Sequence, residues 1–207
     1  MDEILAPREQ QIRIPAAAAF LAADLHVPRT PRGVILFAHG SGSGRFSPRN
    51  RSVAQALNAV GFATVLADLL TPSEETADRR TGQLRFDIPF LAGRLRSVAA
   101  WLSGQRDLRR LPRGYFGAST GAAAALIAAA AEPDQVGAIV SRGGRPDLAG
   151  ATLARVRAPT LLLVGSRDPE VLALNEASSC PVRRTFSRRR GRSRRWHSTR
   201  RGGSGST

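Results

Sequence analysis

Lysine is absent from this chain of 207 residues, and all 31 basic residues are arginine. A nucleotide loop of the G-x-x-x-x-G-K-[ST] kind is thereby excluded, because its lysine is missing. Cysteine occurs once, as Cys180, which excludes an internal disulfide framework and a cysteine metal cluster. No apolar run approaches the roughly 20 residues that a membrane span needs. The start, MDEILAPREQ, is charged and lacks the apolar stretch of a secretory signal. The expectation is a cytoplasmic protein with no membrane partner. Its hydrophobic fraction of 42% suits one soluble domain with a real core.

Acidic residues are absent after Glu176, and this splits the chain in two. Ten of the arginines lie between Arg183 and Arg201, so the net charge of +15 falls to +5 without that segment. Residues 1–177 read as the domain. Residues 178–207 read as a tail of Arg, Ser and Gly, too poor in apolar residues to pack and expected to be disordered. Such a tail can neutralise phosphates, with Trp196 stacking on bases, so non-specific nucleic-acid binding is one reading of it.

Within the domain the apolar pattern alternates between two periods. Gln11–Ile14 and Ala19–Val27 read as strands, forming an antiparallel N-terminal pair. Val34–Ala38, Phe62–Leu69, Gly114–Gly117, Val136–Val140 and Thr160–Val164 read as buried strands. Val53, Ala56, Leu57 and Val60 suggest one helix face, with Gly61 as its stop; Leu91, Leu95, Val98 and Leu102 suggest another. Ala122–Ala131 is an alanine-rich helix. Thr71–Asp87 reads as a polar, turn-rich excursion. Strands alternating with helices give an α/β fold: a mostly parallel sheet flanked by helices, with ligands bound at the carboxyl ends of the strands.

Three motifs fall at those ends. Gly117-Ala118-Ser119-Thr120-Gly121 matches G-x-S-x-G between a strand and a helix, the context of a nucleophile elbow. Small flanking residues let the turn lift the Ser119 hydroxyl into a cleft. His39-Gly40-Ser41-Gly42-Ser43-Gly44 follows the strand Val34–Ala38. Backbone N–H groups of Ser41 and Thr120 are the expected oxyanion donors. An anion-cradling loop is the competing reading, and His39 with Gly40 is expected to shape that loop. Asp168, just past the strand Thr160–Val164, suits the order Ser…Asp…His, although a helix-capping aspartate is a common alternative. Arg45, Arg49, Arg142 and Arg145 lie near these loops and could face the cleft or simply be solvated.

With HGSGSG, the following Ser47–Asn50, Asp68–Pro72, GASTG and Ser141–Ala149, residues 8–177 resemble the dienelactone-hydrolase-like branch of the α/β-hydrolase superfamily. The resemblance implies the α/β-hydrolase fold and a small-molecule ester or lactone substrate, cleaved through an acyl-enzyme without a cofactor. It also implies relatives fused to phosphoribosyltransferase domains. True dienelactone hydrolases use cysteine where this chain has Ser119, which separates their substrate from this one.

The same resemblance implies one more strand, a histidine loop and a closing helix. The sequence shows none of them, so the C-terminal end of the domain is expected to be truncated. His197 is the one histidine downstream of Asp168. It is the candidate base, or else a stray residue of the tail. An out-of-frame reading of a GC-rich gene would give such a tail. A catalytically impaired hydrolase-fold protein is the alternative function, and an unfinished sheet edge leaves homo-oligomerisation open.

Overall fold

The computed structural model describes residues 7–178 and the strand at 182–187. It contains an eight-stranded sheet in the order β1-β2-β4-β3-β5-β6-β7-β8. The strands are β1 (Arg8–Ala16), β2 (Ala19–Val27), β3 (Gly33–Ala38), β4 (Phe62–Ala67), β5 (Arg113–Ala118), β6 (Val136–Arg142), β7 (Thr160–Gly165) and β8 (Val182–Ser187). β1 and β2 are antiparallel, as is β2 to β4; every other pairing is parallel. This matches the α/β-hydrolase fold expected from the sequence.

Helices α1 (Pro48–Ala59), α2 (Pro72–Thr81), α3 (Gln83–Phe86), α4 (Ile88–Ser103), α5 (Thr120–Ala131) and α6 (Pro169–Ala177) connect the strands, with a 3₁₀ segment at Pro146–Arg155. The main core lies between the sheet and α4 and α5. The stripe Leu91, Leu95, Val98 and Leu102 is buried there as its spacing predicts. Nearly every side of α5 is buried, which its run of alanines permits. A smaller core of Phe37, Ala54, Leu66 and Phe116 lies under α1 on the other face.

Three expectations need correction. The buried face of α1 is Asn50, Val53, Ala54 and Leu57, while Ala56 and Val60 are exposed. A polar residue in the stripe, Asn50, shifts the apparent phase by hiding one position. Thr71–Asp87 is helical rather than turn-rich. Helix α2 is built by local signals: Thr71 and Glu74 form a reciprocal capping box, Pro72 opens the first turn, and Gly82 closes it at φ 68°. Finally, a strand does follow Ala177. The backbone of Val182–Ser187 pairs in parallel with Thr160–Gly165. An edge strand offers unpaired backbone groups to any neighbouring segment, whatever its composition. From residue 188 onward, including the arginine cluster beyond Ser187 and His197, the chain lies outside the described residues, and the expected lack of a closing helix falls there too.

Strand order reverses between β3 and β5, since β3 leads to β4 on one side and pairs with β5 on the other. Ligands bind at such a switch point in doubly wound sheets. The His39–Gly44 loop and Ser119 leave the carboxyl ends of those two strands.

Candidate active site

Ser119 joins a fully buried strand to a fully buried helix end, and its backbone takes φ 51° and ψ −124°. For a residue with a Cβ this conformation costs about 1–3 kcal/mol and persists only where the surroundings impose it. They do so through hydrogen bonds on both sides of the residue. The Ser119 N–H donates to the Arg142 carbonyl at 3.4 Å, and its own carbonyl accepts from Ala122 at 3.1 Å and Arg145 at 3.3 Å. Close packing explains both motif glycines. A Cβ at Gly117 would lie 2.4 Å from Ala122 Cα, and one at Gly121 would lie 2.2 Å from the Ala38 carbonyl oxygen.

The loop after β3 is pressed against this turn. A Cβ at Gly40 would stand 3.0 Å from both the Ala118 oxygen and Ser119 Cβ. The Ser41 N–H donates to Thr120 Oγ1 at 3.0 Å. The structure therefore brings Ser119, Ser41 and Thr120 together. Thr120 is the first residue of α5, where backbone N–H groups have no partner within the helix.

His39 is buried and fully engaged. The Leu69 N–H donates to its Nε2 at 2.9 Å, so the ring proton sits on Nδ1, which donates to the Gly40 carbonyl at 3.0 Å. The imidazole ties β3 to the end of β4 and has no nitrogen left for Ser119. Asp68 adds a second tie. It accepts from the Arg45 backbone at 2.7 Å and from the Arg45 guanidinium.

Ser119 opens on a cleft of about 1140 Å³ walled by the Gly-rich loop, the start of α1, and α2. Asp168 is not among the residues lining it. Its carboxylate accepts from the Val171 N–H at 3.2 Å as the N-cap of α6.

Two polar residues missed from the sequence, Asn175 and Asn50, support the site. Asn175, on α6 and 0% exposed, donates from Nδ2 to the Gly144 carbonyl at 2.8 Å. The next residue, Arg145, holds the Ser119 carbonyl. Arg142 donates to the Oδ1 of buried Asn50 at 3.1 Å. Burial, and then the charge of Arg49, hold the Arg142 guanidinium below its ordinary pKa. The resemblance stretches held Arg142 and Asn50, but nothing in the order of residues joins them.

No protein-family model matches the chain. A dienelactone hydrolase from Anabaena variabilis is 49% identical, with a TM-score of 0.85, over 88% of this chain and 87% of that one. The chain belongs to the dienelactone-hydrolase family of α/β-hydrolases. An α/β serine hydrolase from Xanthomonas campestris, 18% identical with a TM-score of 0.69, covers 91% of this family member and shares its fold. Two strains of Mycobacterium tuberculosis carry proteins named as phosphoribosyl transferases that are 54% identical over 175 residues. The match takes in 84% of this dienelactone-hydrolase relative but 39% of theirs, so the chain spans about two-fifths of their length. No helix among the described residues is long and apolar enough to cross a membrane.

Proposed function

We propose that the chain is a serine hydrolase of a small ester or lactone, working through an acyl-enzyme on Ser119. The observation that carries this reading is the strained turn at Ser119, at φ 51°, opening on the cleft beside Ser41 and Thr120. Strain of this kind is retained where a side chain must be presented. In this reading the Ser119 oxygen attacks the substrate carbonyl while its proton passes to a histidine base. The Thr120 N–H receives the oxyanion, and the Ser41 N–H joins it by leaving Thr120 Oγ1, its partner here. The proton then leaves with the alcohol, and water releases the acid by the same steps in reverse order of partners.

Asp168 is the proposed orienting acid and His197 the proposed base. Asp168 lies just past β7, and one carboxylate oxygen caps α6, which leaves the other for an imidazole N–H. The relatives named as phosphoribosyl transferases are much longer. The region shared with them holds the serine elbow, which favours hydrolysis for this part.

One observation favours a second reading, a hydrolase fold with impaired chemistry. Among the described residues, His39 is fully engaged and His26 on β2 does not line the cleft. Loss of a triad member leaves a residual rate about 10³–10⁴ over water.

Labelling with a fluorophosphonate probe, beside Ser119→Ala, separates the two. Such probes phosphonylate only an activated serine, the serine oxygen bonding to phosphorus as fluoride leaves. Labelling that vanishes in Ser119→Ala, and falls sharply in His197→Ala, supports the hydrolase. A folded protein that takes up no probe supports the impaired scaffold.

A further inference from the structure

Of the five arginines that line the cleft, Arg79 is exposed on α2 and the other four fall into two sets. Arg45 is paired with Asp68, and Arg85 with Asp78, so both charges are consumed in holding loops. Arg49 and Arg142 line the same cleft and have no carboxylate partner among the described residues. Arg142 is half-buried beside the nucleophile: its Cα is in register with Ala118, and its carbonyl holds the Ser119 N–H. One guanidinium nitrogen reaches Asn50 in the first turn of α1, but Nε is buried with no partner. Arg49 precedes Asn50, and no acid in that first turn offsets its charge.

Two cations therefore meet at the positive end of α1 with no ion pair among the described residues; the one cleft carboxylate that also forms none, Glu75, stands on the α2 wall. Leaving a guanidinium partly desolvated and unpaired is costly, and an incoming anion removes that cost. The charges also favour one kind of anion. Two guanidiniums and a helix N-terminus, worth about half a charge, exceed what one carboxylate can neutralise. A phosphate monoester carries about −1.5 to −2 near neutral pH.

We propose that the cleft beside Ser119 seats a phosphate group on Arg142, Arg49 and the start of α1, so that the ester or lactone cleaved there is a phosphorylated one. The substrate assignment rests on the hydrolase reading above; the anion site does not. Phosphate is the anchor and is left intact. The bond that breaks is the acyl carbon–oxygen bond, with water supplying the hydroxyl to the acid and the proton to the alcohol.

The test uses the full chain carrying Ser119→Ala, with inorganic phosphate as the probe in calorimetry at constant ionic strength. Binding is expected to strengthen several-fold from pH 5.5 to 7.5, as inorganic phosphate passes from its monoanion toward its dianion. It should weaken at least tenfold in Arg49→Gln and in Arg142→Gln. Arg110→Gln, an exposed change of equal charge, should not alter it. Arg49 is exposed, so its variant keeps the test decisive if Arg142→Gln does not fold.

Acetate binding as well as phosphate would overturn the proposal in favour of a carboxylate site. Equal loss in Arg49→Gln and Arg110→Gln would overturn it in favour of general charge attraction. Because catalysis is absent from this assay, the outcomes separate. Probe labelling of Ser119 without phosphate binding keeps the hydrolase and removes the phosphate; the converse keeps the anion site and removes the hydrolysis.

Discussion

The Ser41 N–H donates to Thr120 Oγ1 across 3.0 Å and so fixes the loop after β3 against the first turn of α5. That contact sets the resting position of the Ser41 N–H, which must leave it to receive the oxyanion beside the Thr120 N–H. Thr120→Val keeps the shape of the buried side chain and removes the acceptor. Its fluorophosphonate labelling rate is expected to fall about tenfold, the equivalent of about 1.4 kcal/mol, with little change in melting temperature. An unchanged rate would mean that Gly40 packing alone places the loop.

Gly121 has less freedom than any other motif residue. A methyl group there would stand 2.2 Å from the Ala38 oxygen and 2.4 Å from the His39 oxygen, both backbone atoms of the central strand end. Neither can move without breaking the sheet. Gly121→Ala is expected to cost more than about 3 kcal/mol in urea denaturation, or to prevent folding. Ser119→Gly should act in the opposite sense and stabilise by about 1 kcal/mol, because glycine tolerates φ 51°. A destabilised Ser119→Gly would remove the strain argument.

Much of this site was legible because its signals are local. The elbow shows in GASTG, where the glycines at 117 and 121 answer contacts within a few residues of the turn or with the strand beside it. The strands showed in their apolar runs. What escaped was set by tertiary contacts or by caps. Asn50 breaks the apolar stripe of α1 because it is buried to receive Arg142, 92 residues away in sequence. Helix α2 has almost no apolar stripe, and only its capping box and Gly82 announce it. Strand β8 was missed because its arginines suggested a tail, whereas pairing to β7 uses backbone groups. Asp168 fits both a catalytic and a capping role from its position. Its bond to Val171 is the capping one.

Tyr115 gives the protein a clean alkaline signature. Burial, reinforced by the charge of Glu132, pushes its hydroxyl up to about 12 from the ordinary 10.0. The unfolded chain therefore releases this proton first, and stability is present below pH 10 and declines as pH rises from 10 toward 12. The loss is on the order of 3 kcal/mol. With no lysine and a single tyrosine, little else titrates there. Urea denaturation of Tyr115→Phe should lack this decline. At neutral pH the variant should be at least as stable as the parent, since the Tyr115 hydroxyl is buried without a partner. Equal alkaline loss in both proteins would place its cause elsewhere.

Asn175 connects α6 to the nucleophile turn through the Gly144 carbonyl, which it holds at 2.8 Å, and the Arg145 N–H on the Ser119 carbonyl. The same Nδ2 also donates to the Val171 carbonyl at 2.7 Å, so one amide satisfies two acceptors. Asn175→Ala leaves the Gly144 carbonyl buried and unpaired, at an expected cost of about 1–3 kcal/mol. Asn175→Asp is the sharper test. At pH 7 a carboxylate would face two carbonyl oxygens, which disfavours its charged form and raises its pKa in the folded protein. The variant's deficit relative to the parent should then be smallest at pH 4, below the raised pKa, and grow toward pH 7 as the unfolded chain ionises. Urea denaturation at both values reads the gap directly. If Asn175→Asp and Asn175→Ala show the same gap at both values, the side chain contributes packing alone, and the link from α6 to Ser119 is not carried by this amide.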